Sequence, residues 1–210
     1  MRLTKHEHAF LQLEQNGQQL LIDPGMYSAQ LPKTENVVAI TLSHIHDDHS
    51  FRPHLEKLLD LHPEAKLFGP KEVADKLSGL DVTTCYHGDR YQVGGFTIDF
   101  FGYLHQEIHR SIPLVENLGV MVNNLYYPGD SYSIPETKVD VLACPSSAPW
   151  LKISDVMDFL ASVKPKRVFP THNALLSDAG HALQNGRIKE VSEDFGGSFS
   201  YLKPGDSIEI

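Results

Sequence analysis

Apolar residues along this chain fall in short runs whose spacing switches between the two-residue period of strands and the 3.6-residue period of helices. Residues 9–13 and 19–23 flank Asn16-Gly17, a pair that tolerates positive φ, and together they predict a β-hairpin ending at Asp23-Pro24-Gly25. Residues 37–42 form a β-branched apolar run of the kind buried on both faces. Leu55, Leu58, Leu59 and Leu61 then recur at helical spacing, followed by a predicted strand at 66–68 and a helix at 71–77. Further strands are predicted at 82–86, 91–93, 96–104, 119–122, 125–127 and 139–143, helices at 154–163 and 178–193, and a last strand pair at 198–202 and 207–210. Many short strands with interspersed helices, and sheet at both ends, suggest two packed sheets with helices outside; a plain α/β sheet is the alternative. With no internal repeat and no linker, residues 1–210 read as one domain.

The run at 37–42 delivers the chain into His44-Ile45-His46-Asp47-Asp48-His49, three imidazoles and two carboxylates on a strand-end loop. Imidazole and carboxylate suit Zn, Fe, Ni and Mn, so this is a metal-ligand cluster that six residues cannot close alone. The missing ligands should lie at other strand ends, and His105, Asp130 and His172 each follow a β-run. His109 stands four residues beyond His105 and could replace it; His105 is preferred because it follows the strand without delay. The isolated histidines His6, His8, His54 and His62 read as surface or satisfied core residues.

Charge and cysteine content narrow the classes. The formal net charge of −9 argues against nucleic acid as a partner, because phosphate binding needs a basic surface. Cys85 and Cys144 lie far apart, offering neither a disulfide framework nor a Cys-x-x-Cys metal site, which fits a reducing cytoplasm. Residues 1–10 carry His6, Glu7 and His8 where a signal peptide would need an apolar core, and no stretch reaches membrane-spanning length; a soluble, unexported, cytoplasmic protein is expected. No heptad or exposed apolar stripe announces an oligomeric interface.

The order of these elements resembles the metallo-β-lactamase superfamily, whose five motifs appear as residues 21–25, 44–49, His105, Asp130 and His172. Tyr127-Pro128-Gly129-Asp130-Ser131, the compact length and residues 139–145 look most like the branch holding ascorbate-6-phosphate lactonase and related metal-dependent hydrolases. The resemblance implies an αββα sandwich of two mixed β-sheets flanked by helices, with the site at one edge of the sheets. It implies that His44, His46 and His105 hold one divalent ion and Asp48, His49 and His172 a second, with Asp130 bridging both. Asp23 would accept a hydrogen bond from a ligand imidazole, and Asp47 would face solvent. Zinc is the leading metal, with manganese or iron open.

The expected chemistry is hydrolysis of a small ester, lactone or phosphoester by a metal-activated hydroxide, with Asp48 orienting it and taking its proton. Arg110 or Lys152 could pair with an anionic substrate group, and His109 and Trp150 could contact substrate; a solvated or core role is the plain alternative for each. A phosphodiesterase or nuclease is the second reading. A mononuclear-iron oxidoreductase or a non-catalytic metal-binding protein is disfavoured, since every ligand position is filled.

Overall fold

The structure, a computed structural model, describes residues 1–210. The first half runs β1 (Arg2–Lys5), β2 (Leu11–Gln15), β3 (Gln18–Ile22), β4 (Val37–Thr41), α1 (Arg52–Leu61), β5 (Lys66–Gly69), α2 (Lys71–Lys76) and β6 (Val82–Thr84). The second runs β7 (Arg90–Val93), β8 (Phe96–Phe101), β9 (Gly119–Val122), β10 (Leu125–Tyr127), β11 (Val141–Pro145), α3 (Ile153–Val163), β12 (Arg167–Thr171), α4 (Asp178–Asp194) and β13 (Ser198–Phe199). A final strand, β14 (Ser207–Glu209), returns to pair with β1. The result is two seven-stranded sheets, ordered β14-β1-β2-β3-β4-β5-β6 and β13-β12-β11-β10-β9-β8-β7.

The two sheets share one plan. In the first, β14-β1-β2-β3 pair antiparallel and β3-β4-β5-β6 parallel. In the second, β7-β8-β9-β10 pair antiparallel and β10-β11-β12-β13 parallel. The tight hairpins correspond as well: Asn16-Gly17 joins β2 to β3, with both residues at positive φ, and Asn123-Asn124 joins β9 to β10.

Alternation along the strands builds the layers. Leu20 and Ile22 of β3, Val120 and Val122 of β9, and Val141 and Ala143 of β11 all join the core between the sheets, with Phe68, Phe96 and Phe100. Their sequence neighbours face the helices: Leu21 packs with Leu55 and Leu58 of α1 and Val73 of α2. Met121 and Leu142 pack with Val156, Phe159 and Leu160 of α3 and Ile188 of α4. Both sheets are thus covered on both faces, which is the αββα sandwich.

Two local expectations shift. The strand predicted at 96–104 stops at Phe101, where Gly102 turns the chain at φ +92°, leaving a single bridge between Leu104 and Glu116. β1 has no counterpart in the hydrophobic pattern because Leu3 is its only apolar residue; backbone pairing on both sides carries it instead. No helix is long and apolar enough to cross a membrane.

Candidate metal centre

The rim where β3, β4, β10 and β12 end gathers the predicted ligands. β4 leads through Leu42 and Ser43 into the 44–49 loop, β10 through Pro128 and Gly129 to Asp130, and β12 directly to His172. His105 arrives on the long β8–β9 connection, whose His105 N–H donates to the Val115 carbonyl (2.9 Å) and whose Gln106 N–H donates to the Asp130 carbonyl (2.9 Å). Ligand atoms of His44, His46 and His105 lie within 4.8 Å of one another, as do those of Asp48, His49, His172 and His8; His44, His49 and Asp130 form a third such group between them.

The hydrogen bonds on the far side of each ring fix its tautomer. Asp23, fully buried, accepts from the Ser43 N–H (2.8 Å), the Ser43 hydroxyl (2.5 Å), the Tyr127 hydroxyl (2.9 Å) and His49 Nδ1 (2.7 Å). Because the Ser43 proton goes to Asp23, its Oγ accepts from His44 Nδ1 (2.9 Å). His105 Nδ1 donates to the Gln106 carbonyl and His172 Nδ1 to the Ser147 carbonyl, each at 2.5 Å. The Nε2 lone pairs of His44, His49, His105 and His172 are therefore free to face the chamber, while His46 presents Nδ1, 3.0 Å from His44 Nε2.

That chamber is built for cations. His49 Nε2, His105 Nε2, His172 Nε2 and Asp130 Oδ1 are buried without any hydrogen-bond partner, a costly arrangement unless something positive fills the gap. Asp130 Oδ2 lies 3.3 Å from His105 Nε2 and 3.1 Å from His172 Nε2, and its Oδ1 3.4 Å from His49 Nε2; Asp48 Oδ2 stands 3.5 Å from both His49 and His172. A tetrahedral ion with bonds of 2.0–2.1 Å holds its ligand atoms about 3.3 Å apart, so these spacings suit shared coordination.

Titration follows the same field. Burial, with His49 adding to it, holds His44 well below the usual imidazole value. At His49 and His172 burial is the largest influence and acts downward, but the surrounding carboxylates together outweigh it, Asp130 with Asp23 and Asp48 raising His49 well above its usual value and Asp130 with Asp48 raising His172 to about 9. Burial alone would raise Asp48 and Asp130; the neighbouring imidazoles of His172, His49 and His8 at the first, and the charges of His172 and His49 at the second, hold both well below the carboxylate range. Two ionised carboxylates in a buried chamber thus draw positive charge in.

Backbone geometry supports this arrangement at some cost. His8, Asp23 and His172 all adopt positive φ (57°, 47° and 55°), unusual for residues other than glycine and asparagine. A Cβ at Gly25 would sit 1.7 Å from the Asp48 carbonyl oxygen, so only glycine lets the Asp23-Pro24-Gly25 turn pass beneath the ligand loop. Lys76 of α2 ties the loop from outside through Asp47 (2.6 Å) and the Ile45 carbonyl. Asn117, fully buried, donates to the Pro128 carbonyl and accepts from the Asp130 N–H, each at 2.9 Å.

Among the remaining sequence candidates, Trp150 reaches the centre, donating from Nε1 to Asp130 Oδ2 at 2.8 Å. His109 is exposed and engaged with Ser111, and Arg110 and Lys152 are exposed. Asp47 is exposed and paired with Lys76. His8, read as a surface or satisfied core histidine, is buried with both ring nitrogens hydrogen-bonded, and it packs against the centre, its Nε2 3.2 Å from Asp48 Oδ2 and its ring centroid 3.8 Å from that of His172. The β1–β2 connection carries it there, a placement that a single histidine in a polar segment does not announce. A cavity of about 210 Å³ adjoins His8, lined also by Lys5, Asn173, His181 and Tyr201.

The family profile described as "Beta-lactamase superfamily domain" matches residues 2–172, and the chain belongs to that family. It is 34% identical over 198 residues to "Protein Rv0786c" of Mycobacterium tuberculosis, spanning 91% of this chain and 93% of that protein. Solved structures that share the fold include the following two. Igni18, a metallo hydrolase from the archaeon Ignicoccus hospitalis, is 16% identical with a TM-score of 0.75, over 99% of this chain and 97% of its own. The metallo-β-lactamase fold protein YhfI from Bacillus subtilis is 17% identical with a TM-score of 0.75, over 99% of each chain.

Proposed function

We propose that this protein is a metal-dependent hydrolase that binds two divalent ions and cleaves a small ester, lactone or phosphoester. The observation that carries the reading is the set of four partnerless buried ligand atoms, on His49, His105, His172 and Asp130, facing one chamber. His44, His46 and His105 would hold one ion, Asp48, His49 and His172 the other, and Asp130 would span them. The ions supply Lewis acidity and lower the pKa of water from 15.7 towards about 7, making a nucleophile available near neutrality.

This chain's own groups do the rest. Asp48 is the more exposed of the two ligand carboxylates, at 24% against 4% for Asp130, so it is the one placed to orient an attacking water and take its proton. With neutral imidazoles, Asp48 and Asp130 cancel only two of four positive charges, and the centre favours substrates that become anionic as they react. The fold's occurrence in the metallo hydrolase Igni18 supports hydrolysis. The Tyr127-Pro128-Gly129-Asp130-Ser131 stretch supports a lactonase-like substrate, and three imidazoles in one ligand set favour zinc over manganese or iron.

Element analysis of protein purified without added metal, followed by a panel of lactones, phosphomonoesters, phosphodiesters and thioesters, tests this reading. Asp48→Ala should abolish turnover with secondary structure intact. Near-wild-type rates in that variant would remove Asp48 from the mechanism, and activity confined to diesters would replace the lactonase-like assignment with a phosphodiesterase.

A further inference from the structure

We propose that His8 is a positioning residue of the metal centre, holding the Asp48 carboxylate through its Nε2–H rather than ligating an ion. Its hydrogen bonds decide between the two roles. The Ala174 N–H points at His8 Nδ1 (3.3 Å), so Nδ1 must be the unprotonated nitrogen and Nε2 carries the hydrogen. That hydrogen faces Asp48 Oδ2 at 3.2 Å, the same oxygen that stands 3.5 Å from His49 and His172. A nitrogen bearing hydrogen has no lone pair to offer a cation. The His8 carbonyl, meanwhile, accepts from the His172 N–H (2.9 Å), so one residue joins the Asp48 loop to the His172 loop.

Two further observations place His8 by construction rather than by accident. It is 2% exposed, at positive φ, and packed between the tilted ring of His172 and the edge-on ring of Tyr27, with centroids at 3.8 and 4.8 Å. The shared sheet plan also makes the β1–β2 connection of the first half correspond to the β8–β9 connection of the second. His8 lies on the one and His105 on the other, just as Asp23 follows β3 and Asp130 follows β10. In each half, then, a histidine and an aspartate reach the same rim from equivalent connections: His105 and Asp130 face the chamber, whereas His8 and Asp23 make hydrogen bonds to the ligands Asp48 and His49.

The inference rests on the metal-centre reading, and the test separates the two. His8→Asn tolerates positive φ and keeps an acceptor for Ala174, but its side chain is too short to reach Asp48; His8→Gln restores the reach and an N–H. Each variant and the wild type would be stripped and reloaded with Co²⁺, then compared by ions per chain, chelator competition, visible spectrum, and kcat and KM on the best substrate of the panel. A positioning role predicts unchanged ions per chain in His8→Asn, with roughly 10- to 100-fold weaker Co²⁺ binding, an altered spectrum, and a kcat loss at nearly constant KM. His8→Gln should recover most of that loss. An Asn variant that matches the wild type would overturn the inference, as would loss of one Co²⁺ per chain in both variants, which would make His8 a ligand. Failure of the wild type itself to take up Co²⁺ would instead sink the metal reading.

Discussion

Every candidate ligand imidazole that presents Nε2 has its other nitrogen committed elsewhere: His44 to Ser43, His49 to Asp23, His105 to the Gln106 carbonyl and His172 to the Ser147 carbonyl. Such outer contacts set ring orientation and ligand basicity, and losing one costs about 10- to 100-fold in metal affinity or activity. Trp150 stands in the same relation to Asp130, so Trp150→Phe should weaken metal binding by about 10-fold in chelator competition while leaving the fold intact. Unchanged affinity would return Trp150 to a packing or substrate role. The residues that converge on the chamber were legible from sequence because four of them crowd into residues 44–49 and the others stand at strand ends. Ser43, Asn117, Tyr127 and His8 were not, since each is a common residue type whose role exists only once distant loops meet.

Elements matter here chiefly through how they stop. β3 ends at Asp23-Pro24-Gly25, where the Gly25 N–H bonds the Asp23 carbonyl (2.8 Å) and the Met26 N–H bonds the Asp47 carbonyl (2.9 Å), stacking one turn on the other. Gly25→Ala would force a methyl into the Asp48 carbonyl; it should destabilise the protein by about 3 kcal/mol or more in urea unfolding and impair metal uptake together. A stable, metal-replete Ala variant would show that the ligand loop can shift freely. The Asn16-Gly17 hairpin and the 37–42 strand were readable because turn chemistry and β-branched runs are local signals. β1 was not, because its two-sided pairing with β2 and β14 depends on a strand some two hundred residues away.

At the scale of the whole molecule, candidate ligands from both sheets converge on one rim, with His44, His46, Asp48 and His49 from the first and His105, Asp130 and His172 from the second. Bound ions would therefore fasten the two sheets to each other as well as serve chemistry. An ion present at a hundred times its dissociation constant stabilises by about 2.7 kcal/mol. Excess chelator should then lower the melting temperature by roughly 5–10 °C, reversibly on adding Zn²⁺ or Mn²⁺. A chelator-insensitive melt, for protein shown to carry metal, would mean that the sheets hold together without it. The two-sheet architecture could be anticipated from strand count and order, but the duplicated plan could not, because the halves share pairing pattern and not residues.

The halves differ most in one connection. β1 and β2 are linked by residues 6–10, whereas β8 and β9 are linked by residues 102–118, which leave His105 and then run through the exposed Ile112 and Leu114 before returning at Glu116. The one residue of that excursion in the histidine–aspartate cluster, His105, lies at its start and not at its tip. The tip is consequently a place where sequence variation or grafting should leave the cluster beneath undisturbed.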